Sequence, residues 1–133
     1  MNGVFLDTVG MLAVWDSTDQ WHHAAEEAFG LLLKNRVPLI STSYILIECG
    51  NAASRRPYRS RVNELRVSLQ EDGLLFDPTD EELDSAWASY DFGDAGNSGI
   101  VDQISFIVMR RLGIKQAFTN DWHFKAAGFE TLF

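Results

Sequence analysis

The stretch IVDQISFIVMRRLGIKQAFTND, residues 100–121, decides the fold. Residues 100–112 read as the most apolar helix in the chain, and Gly113 stops it in the left-handed turn that closes many helices. QAFTN, residues 116–120, then reads as a strand, with Asp121 directly after it. Two carboxylates stand out in this frame: Asp121 at the end of a strand, and Asp102 in the first turn of an otherwise apolar helix.

Outward from that unit, the same alternation recurs. GVFL, residues 3–6, is a short buried strand ending at Asp7-Thr8. Residues 11–33 carry apolar positions at near-helical spacing, broken by the polar stretch 16–20, so two helical pieces are expected. VPLIST, residues 37–42, is a second strand entered through Pro38, and Ser41, Thr42 and Ser43 offer an N-cap for a helix over 44–53. Arg56-Pro57 ends that helix, because proline disfavours helical backbone in the residue before it. Residues 58–70 form another helix, with Val62, Leu65 and Leu69 on one face, and GLLF, residues 73–76, is expected as a third strand. Thr79 to Glu82 starts a further helix with acids in its first turn. DFGDAGNSG, residues 91–99, reads as a glycine-rich loop, and FETLF, residues 129–133, as a last strand. Strands alternating with helices imply an α/β fold with a parallel sheet covered on both faces. With no repeat, low-complexity tract or linker composition, residues 1–133 are expected to form a single domain.

Bulk properties narrow the function classes. At 133 residues and 46% hydrophobic the chain can bury a core without staples. The lone cysteine, Cys49, excludes an internal disulfide and a thiolate zinc cluster, which suits a reducing compartment. The start, MNGVFLDTVG, lacks a signal-peptide pattern, and no run approaches the roughly 18 apolar residues of a membrane span. A soluble cytoplasmic protein without a membrane partner is expected. The net charge of −8 argues against gripping nucleic acid through bulk positive potential. One basic patch is available, where Arg55, Arg56, Arg59, Arg61 and Arg66 crowd a short segment ahead of an acidic one.

Four carboxylates sit in apolar settings: Asp7 after VFL, Glu48 within YILIECG, Asp102 and Asp121. In open α/β sheets functional groups gather beyond the carboxyl ends of the strands. Ionised carboxylates in apolar surroundings cost several kcal/mol unless compensated, and four together repel one another. A divalent cation removes both objections. Carboxylate and water oxygens suit Mg²⁺ or Mn²⁺, which activate water and stabilise charge on a phosphoryl oxygen, so phosphodiester hydrolysis is the reaction class suggested. Without metal, the site should hold raised carboxylate pKa values. Taken singly, each acid has a plainer reading: Asp102 and Asp7 as helix caps, Glu48 as an exposed helix residue, Asp121 as a turn residue beside Asn120. The joint case is the stronger one.

In this order the motifs FLDT (5–8), ILIECGN (45–51), VDQISFIVMRRLGI (101–114) and AFTNDWHFKAAGF (117–129) resemble the PIN-domain ribonucleases, specifically the VapC-type toxins of bacterial toxin–antitoxin pairs. The resemblance implies a three-layer α/β/α sandwich with a central parallel sheet and a Mg²⁺- or Mn²⁺-dependent endoribonuclease. It also implies a cognate antitoxin as partner and a homodimer. Carried over by motif, Asp7, Glu48, Asp102 and Asp121 would be the catalytic and metal-binding acids. Thr8, with Thr119 or Asn120, would hold the metal's waters or orient its ligands. The family commonly has a serine three residues before the third aspartate; this chain has Gly99 there and Ser98 one place earlier. That departure motivates an alternative, a catalytically silent PIN-type module that binds RNA or a protein.

Other features carry less. DFG at residues 91–93 lacks the companion motifs of a kinase. His22, His23 and His123 form no zinc spacing with Cys49 and read as surface or packing residues. Trp15, Trp21, Trp87 and Trp122 read as core or interface aromatics rather than base-stacking platforms. For the arginine segment, with Arg55, Arg56 and Arg59 foremost, three readings stay open: a solvated helix face, an RNA backbone contact, or a surface for an acidic antitoxin tail.

Overall fold

Val4, Phe5 and Leu6 are at most 1% exposed, a burial on both faces that only an inner strand of a helix-covered sheet provides. The computed structural model, which describes residues 1–133, places them as β1 (Val4–Leu6) inside a parallel four-stranded sheet of order β2–β1–β3–β4. β2 (Leu39–Ile40) pairs Val4 with Leu39, β3 (Gln116–Phe118) pairs Leu6 with Phe118, and β4 (Glu130–Thr131) extends the sheet beyond β3. Pro38 stands just ahead of β2, where its carbonyl accepts the Val4 N–H at 2.9 Å and its missing N–H costs nothing.

Two helical layers cover the sheet. α1 (Thr8–Trp15) packs on α2 (His22–Lys34) and α3 (Ser43–Ala53), and α4 (Arg59–Glu71) packs on α3. The second layer is α5 (Asp80–Phe92), a one-turn α6 (Asp94–Asn97), α7 (Ile100–Leu112) and α8 (Trp122–Ala126). This is the three-layer α/β/α arrangement expected from the sequence. The local signals are visible in the caps: the Thr42 hydroxyl accepts the Ile45 N–H at 3.2 Å, Thr79 and Glu82 form a reciprocal capping box, and Gly113 (φ 69) ends α7.

Two expectations need correction. GLLF is not a strand of the sheet; it touches it through one bridge, where the Ser41 N–H donates to the Leu74 carbonyl at 3.2 Å and the Ser41 carbonyl accepts from the Phe76 N–H at 2.9 Å. The neighbouring β2 is two residues long and offers too short an edge, and the Asp77 carboxylate that follows is taken up by the Ser43 N–H and hydroxyl, both at 2.7 Å. Residues 91–99 are also less loop-like than expected, since α5 runs on through Phe92 and Asp94–Asn97 wind into a left-handed turn.

α1 comes down tightly on the end of β3. A Cβ at Gly10 would overlap the carbonyl group of Phe118, so only glycine lets the helix descend this far onto the sheet. Backbone, unlike a flexible side chain, has little room to yield. Gly10→Ala should therefore destabilise the protein by about 2 kcal/mol or more, read as a lower urea midpoint.

Candidate metal centre

Because β1 and β3 are adjacent and parallel, their carboxyl ends deliver Asp7 and residues 119–121 to one edge of the sheet. Asp7 is 2% exposed. Although it precedes α1, its side chain caps nothing there; its Oδ2 instead accepts from the Thr119 hydroxyl at 2.8 Å. The same Thr119 oxygen accepts the Asp121 backbone N–H at 3.1 Å, so one buried threonine fastens two of the four acids. On the next helix, the Thr8 hydroxyl reaches across to α3 and donates to Glu48 Oε1 at 2.6 Å. Asp121 does serve as a cap: its Oδ1 accepts the His123 N–H at 3.0 Å and lies 2.7 Å from His123 Nδ1. Asp102 sits in the first turn of α7, half-buried, while the N-cap position itself is Gly99 and supplies no side-chain bond.

The four carboxylates share one cleft of about 630 Å³, together with Thr8, Val9, Asn51 and Ala52. Burial pushes the Asp7 carboxyl up to about 7; the Thr119 bond opposes the rise and the nearby charges of Asp102 and Asp121 add to it. Burial likewise raises Asp102 to about 6, assisted by Asp121 and Glu48 and opposed by His123. Both shifts say that negative charge here lacks a positive counterpart. Hard oxygen donors plus one imidazole form a donor set that fits a small divalent cation. Asp102, Asp121 and His123 offer ligand atoms within 4.8 Å of one another; Asp7 and Glu48 line the same cleft outside that trio.

Several side chains differ from their sequence-based reading. His123 is no packing residue but an immediate partner of Asp121; its spacing two residues after the aspartate in TNDWHF is the available signal. Asn51, one helical turn after Glu48, also lines the cleft and is visible in the sequence only as the end of ILIECGN. Thr8 and Thr119 each donate a hydrogen bond to one of the acids, whereas Asn120 is half-buried and bonds to none of the four. His22 does pack, with Nδ1 2.8 Å from the Ala13 carbonyl. Trp21, Trp87 and Trp122 are 48%, 51% and 58% exposed and lie outside the core. None of these arginines bonds to one of the four acids: Arg55 is exposed, Arg56 pairs with Asp16 at 2.9 Å, and Arg59 lines a separate groove with Arg66, Leu46, Ile47 and Val62.

Comparison with known proteins identifies relatives along nearly the whole chain. The 23S rRNA-specific endonuclease VapC20 of Mycobacterium tuberculosis, from strains CDC 1551 and H37Rv, is 30% identical over 128 residues, covering 95% of this chain and 95% of that protein. The crystal structure of M. tuberculosis VapC20, described as a sarcin–ricin loop cleaving toxin, matches with a TM-score of 0.76 and 25% identity over 96% of both chains. The FitAcB structure from Neisseria gonorrhoeae matches in fold, with a TM-score of 0.62 at 14% identity over 98% of this chain and 96% of that one. No family profile matches the chain. Identity carried along nearly all of both sequences, on the same fold, is decisive: the chain belongs to the VapC-type toxins of the PIN-domain ribonucleases.

Proposed function

We propose that this protein is a Mg²⁺- or Mn²⁺-dependent endoribonuclease whose metal ligands are drawn from Asp7, Glu48, Asp102 and Asp121. The observation that carries the reading is the convergence of these carboxylates, from four separate elements, on one cleft. VapC20 is named for 23S rRNA, so a structured ribosomal RNA loop is the substrate class inferred. The partner inferred from the family is an antitoxin, and the apolar groove flanked by Arg59 and Arg66 suits an acidic amphipathic segment. A cytoplasmic homodimer completes the proposal, with the exposed rings of Trp87 and Tyr90 on α5, 5.5 Å apart, available for self-association.

A divalent cation in the cleft would supply Lewis acidity, activating water and neutralising charge that builds on the phosphate. The chain's own residues do the positioning. Thr119 holds Oδ2 of Asp7, Thr8 holds Oε1 of Glu48, and His123 holds Oδ1 of Asp121, so each of these acids has one oxygen pinned and one left for a ligand. Such preset orientation spares the site reorganisation when substrate binds. The silent-module alternative rests on Gly99, which stands at the N-cap of α7 and supplies no side-chain bond there; the four acids gathered in one cleft favour the nuclease.

Asp7→Asn should abolish cleavage of ribosomal RNA while leaving circular dichroism unchanged; an equally active variant would sink the assignment. Thr119→Val removes a hydroxyl that holds both Asp7 and the Asp121 backbone, and should lower activity about 10- to 100-fold with the fold retained, as loss of an outer-shell partner typically does. The raised carboxyls set the pH dependence. Asp7 (from 3.8 to about 7) and Asp102 (from 3.8 to about 6) hold protons more tightly when folded than when unfolded. Their contribution to stability is thus full below about pH 4 and lost as pH rises through 6 and 7. In EDTA, the melting temperature should fall between pH 5 and pH 8 by this route. Mn²⁺ should restore it most at pH 8, where no proton competes for the acids. A metal-induced shift of equal size at pH 5 would contradict the model of a carboxylate site.

A further inference from the structure

Trp122 is the first residue of α8, directly after Asp121, and it is 58% exposed although Phe124, two residues on, is fully buried. Its indole is not loose. One face stacks on His123, with ring centroids 4.4 Å apart and planes 28° apart, and His123 is the side chain that holds Asp121 Oδ1. The six-membered ring rests over Gly96, where a Cβ would overlap it. Gly96 belongs to a turn with three consecutive left-handed residues, Ala95 (φ 52), Gly96 (φ 68) and Asn97 (φ 60). For Ala95 this backbone is unfavourable by about 1–2 kcal/mol, whereas asparagine adopts it more readily. Buried polar side chains hold the turn closed: Ser98 donates its hydroxyl to the Ala95 carbonyl at 2.5 Å, and Gln103, the neighbour of Asp102, donates to the Asp94 carbonyl at 2.9 Å. A strained turn maintained at a cost is commonly found at functional sites.

The result is a large flat ring, fixed by His123 and Gly96, exposed to solvent, and one residue along the chain from Asp121, which lines the acidic cleft. Trp21 and Trp87 are also exposed, but neither adjoins one of the four acids in the sequence or stacks on a residue that binds one. On a chain of net charge −8, affinity for RNA gains little from phosphate attraction, so contacts independent of charge matter more. Aromatic stacking on an unpaired base is such a contact, and it tolerates any base because each has a π-face.

We propose that Trp122 is a base-stacking platform that receives an unpaired RNA base neighbouring the scissile phosphate, with His123 and the Asp94–Asn97 turn fixing the indole. This rests on the proposed nuclease site, since it is the acids that locate the phosphate. The substrate class narrows accordingly, to loops and single strands whose bases can be splayed out rather than continuous duplex.

The test uses the full chain in the Asp7→Asn background with Mg²⁺ and a fluorescein-labelled adenosine octamer, read by fluorescence anisotropy. Adding Trp122→Ala should weaken binding about tenfold, and Trp122→Phe should restore most of the loss, in line with the worth of one base–aromatic stack. Abasic riboses scanned along the octamer should reproduce the loss at one position when Trp122 is present, and should cost nothing further at that position in the Trp122→Ala variant. Undiminished binding by Trp122→Ala, a Phe variant as weak as the Ala variant, or no costly abasic position overturns the proposal. The abasic scan on the Trp122-containing protein decides the matter alone if Trp122→Ala does not fold. Cleavage of ribosomal RNA by the unsubstituted chain is scored separately: cleavage that Trp122→Ala leaves unchanged removes the platform and keeps the nuclease, whereas no cleavage in Mg²⁺ or Mn²⁺ removes the nuclease reading itself.

Discussion

The hydrogen bond from the Thr119 hydroxyl to Asp7 Oδ2 ties together the carboxyl ends of the two inner strands, and much of the site depends on it. Asp7 is nearly inaccessible, so its charge must be met from within, and Thr119 is its only side-chain donor. The same oxygen fixes the Asp121 backbone, which in turn sets where α8 begins and where His123 and Trp122 stand. The spacing of the acids therefore follows from strand pairing: the register Leu6 to Phe118 puts the next residues of both strands side by side.

This arrangement sets stability against function. A core of Phe5, Leu6, Phe106, Phe118 and Phe124 holds the layers together through burial and edge-to-face aromatic contacts, such as Phe106 on Phe124 at 5.0 Å. The acids work the other way, since burial and mutual repulsion push Asp7 and Asp102 toward protonation. Scaffold and site are separated along the strands: apolar residues fill β1 and the last two positions of β3, Ala117 and Phe118, and the acids come after the strands end. Cys49 shows the other outcome of burial, a thiol pushed up to about 12 and therefore inert rather than reactive.

The acids are legible in the sequence because each lies beside or within an apolar run whose strand or helix character is plain, and because a carboxylate in such company asks for a counter-charge. Thr8 and Thr119 are legible as neighbours of those acids. What is not legible depends on long-range pairing. GLLF has the composition of a strand, but whether it pairs depends on the length of β2, which lies more than thirty residues away. His123 escapes a reading that weighs histidines as zinc ligands with Cys49, because its real partner is a carboxylate two residues back. Residue type alone puts Trp122 in a core or interface, whereas its exposure follows from the phase of a five-residue helix that turns Phe124 inward. Nor does the run TVGMLAVW of α1 announce that Gly10 lies against the carbonyl of Phe118.

The doubly bonded oxygen of Thr119 has a consequence for how the cleft behaves when it is empty. A hydroxyl carries one hydrogen and two lone pairs, and the Asp121 N–H occupies one of the pairs. When Asp7 is ionised the hydroxyl hydrogen points to it; when Asp7 carries a proton, that proton can point back to the remaining lone pair while the hydroxyl hydrogen turns away. The heavy atoms stay where they are in both cases. Thr119 thus works as a reversible joint in the polarity of the bond, able to meet Asp7 with or without its proton.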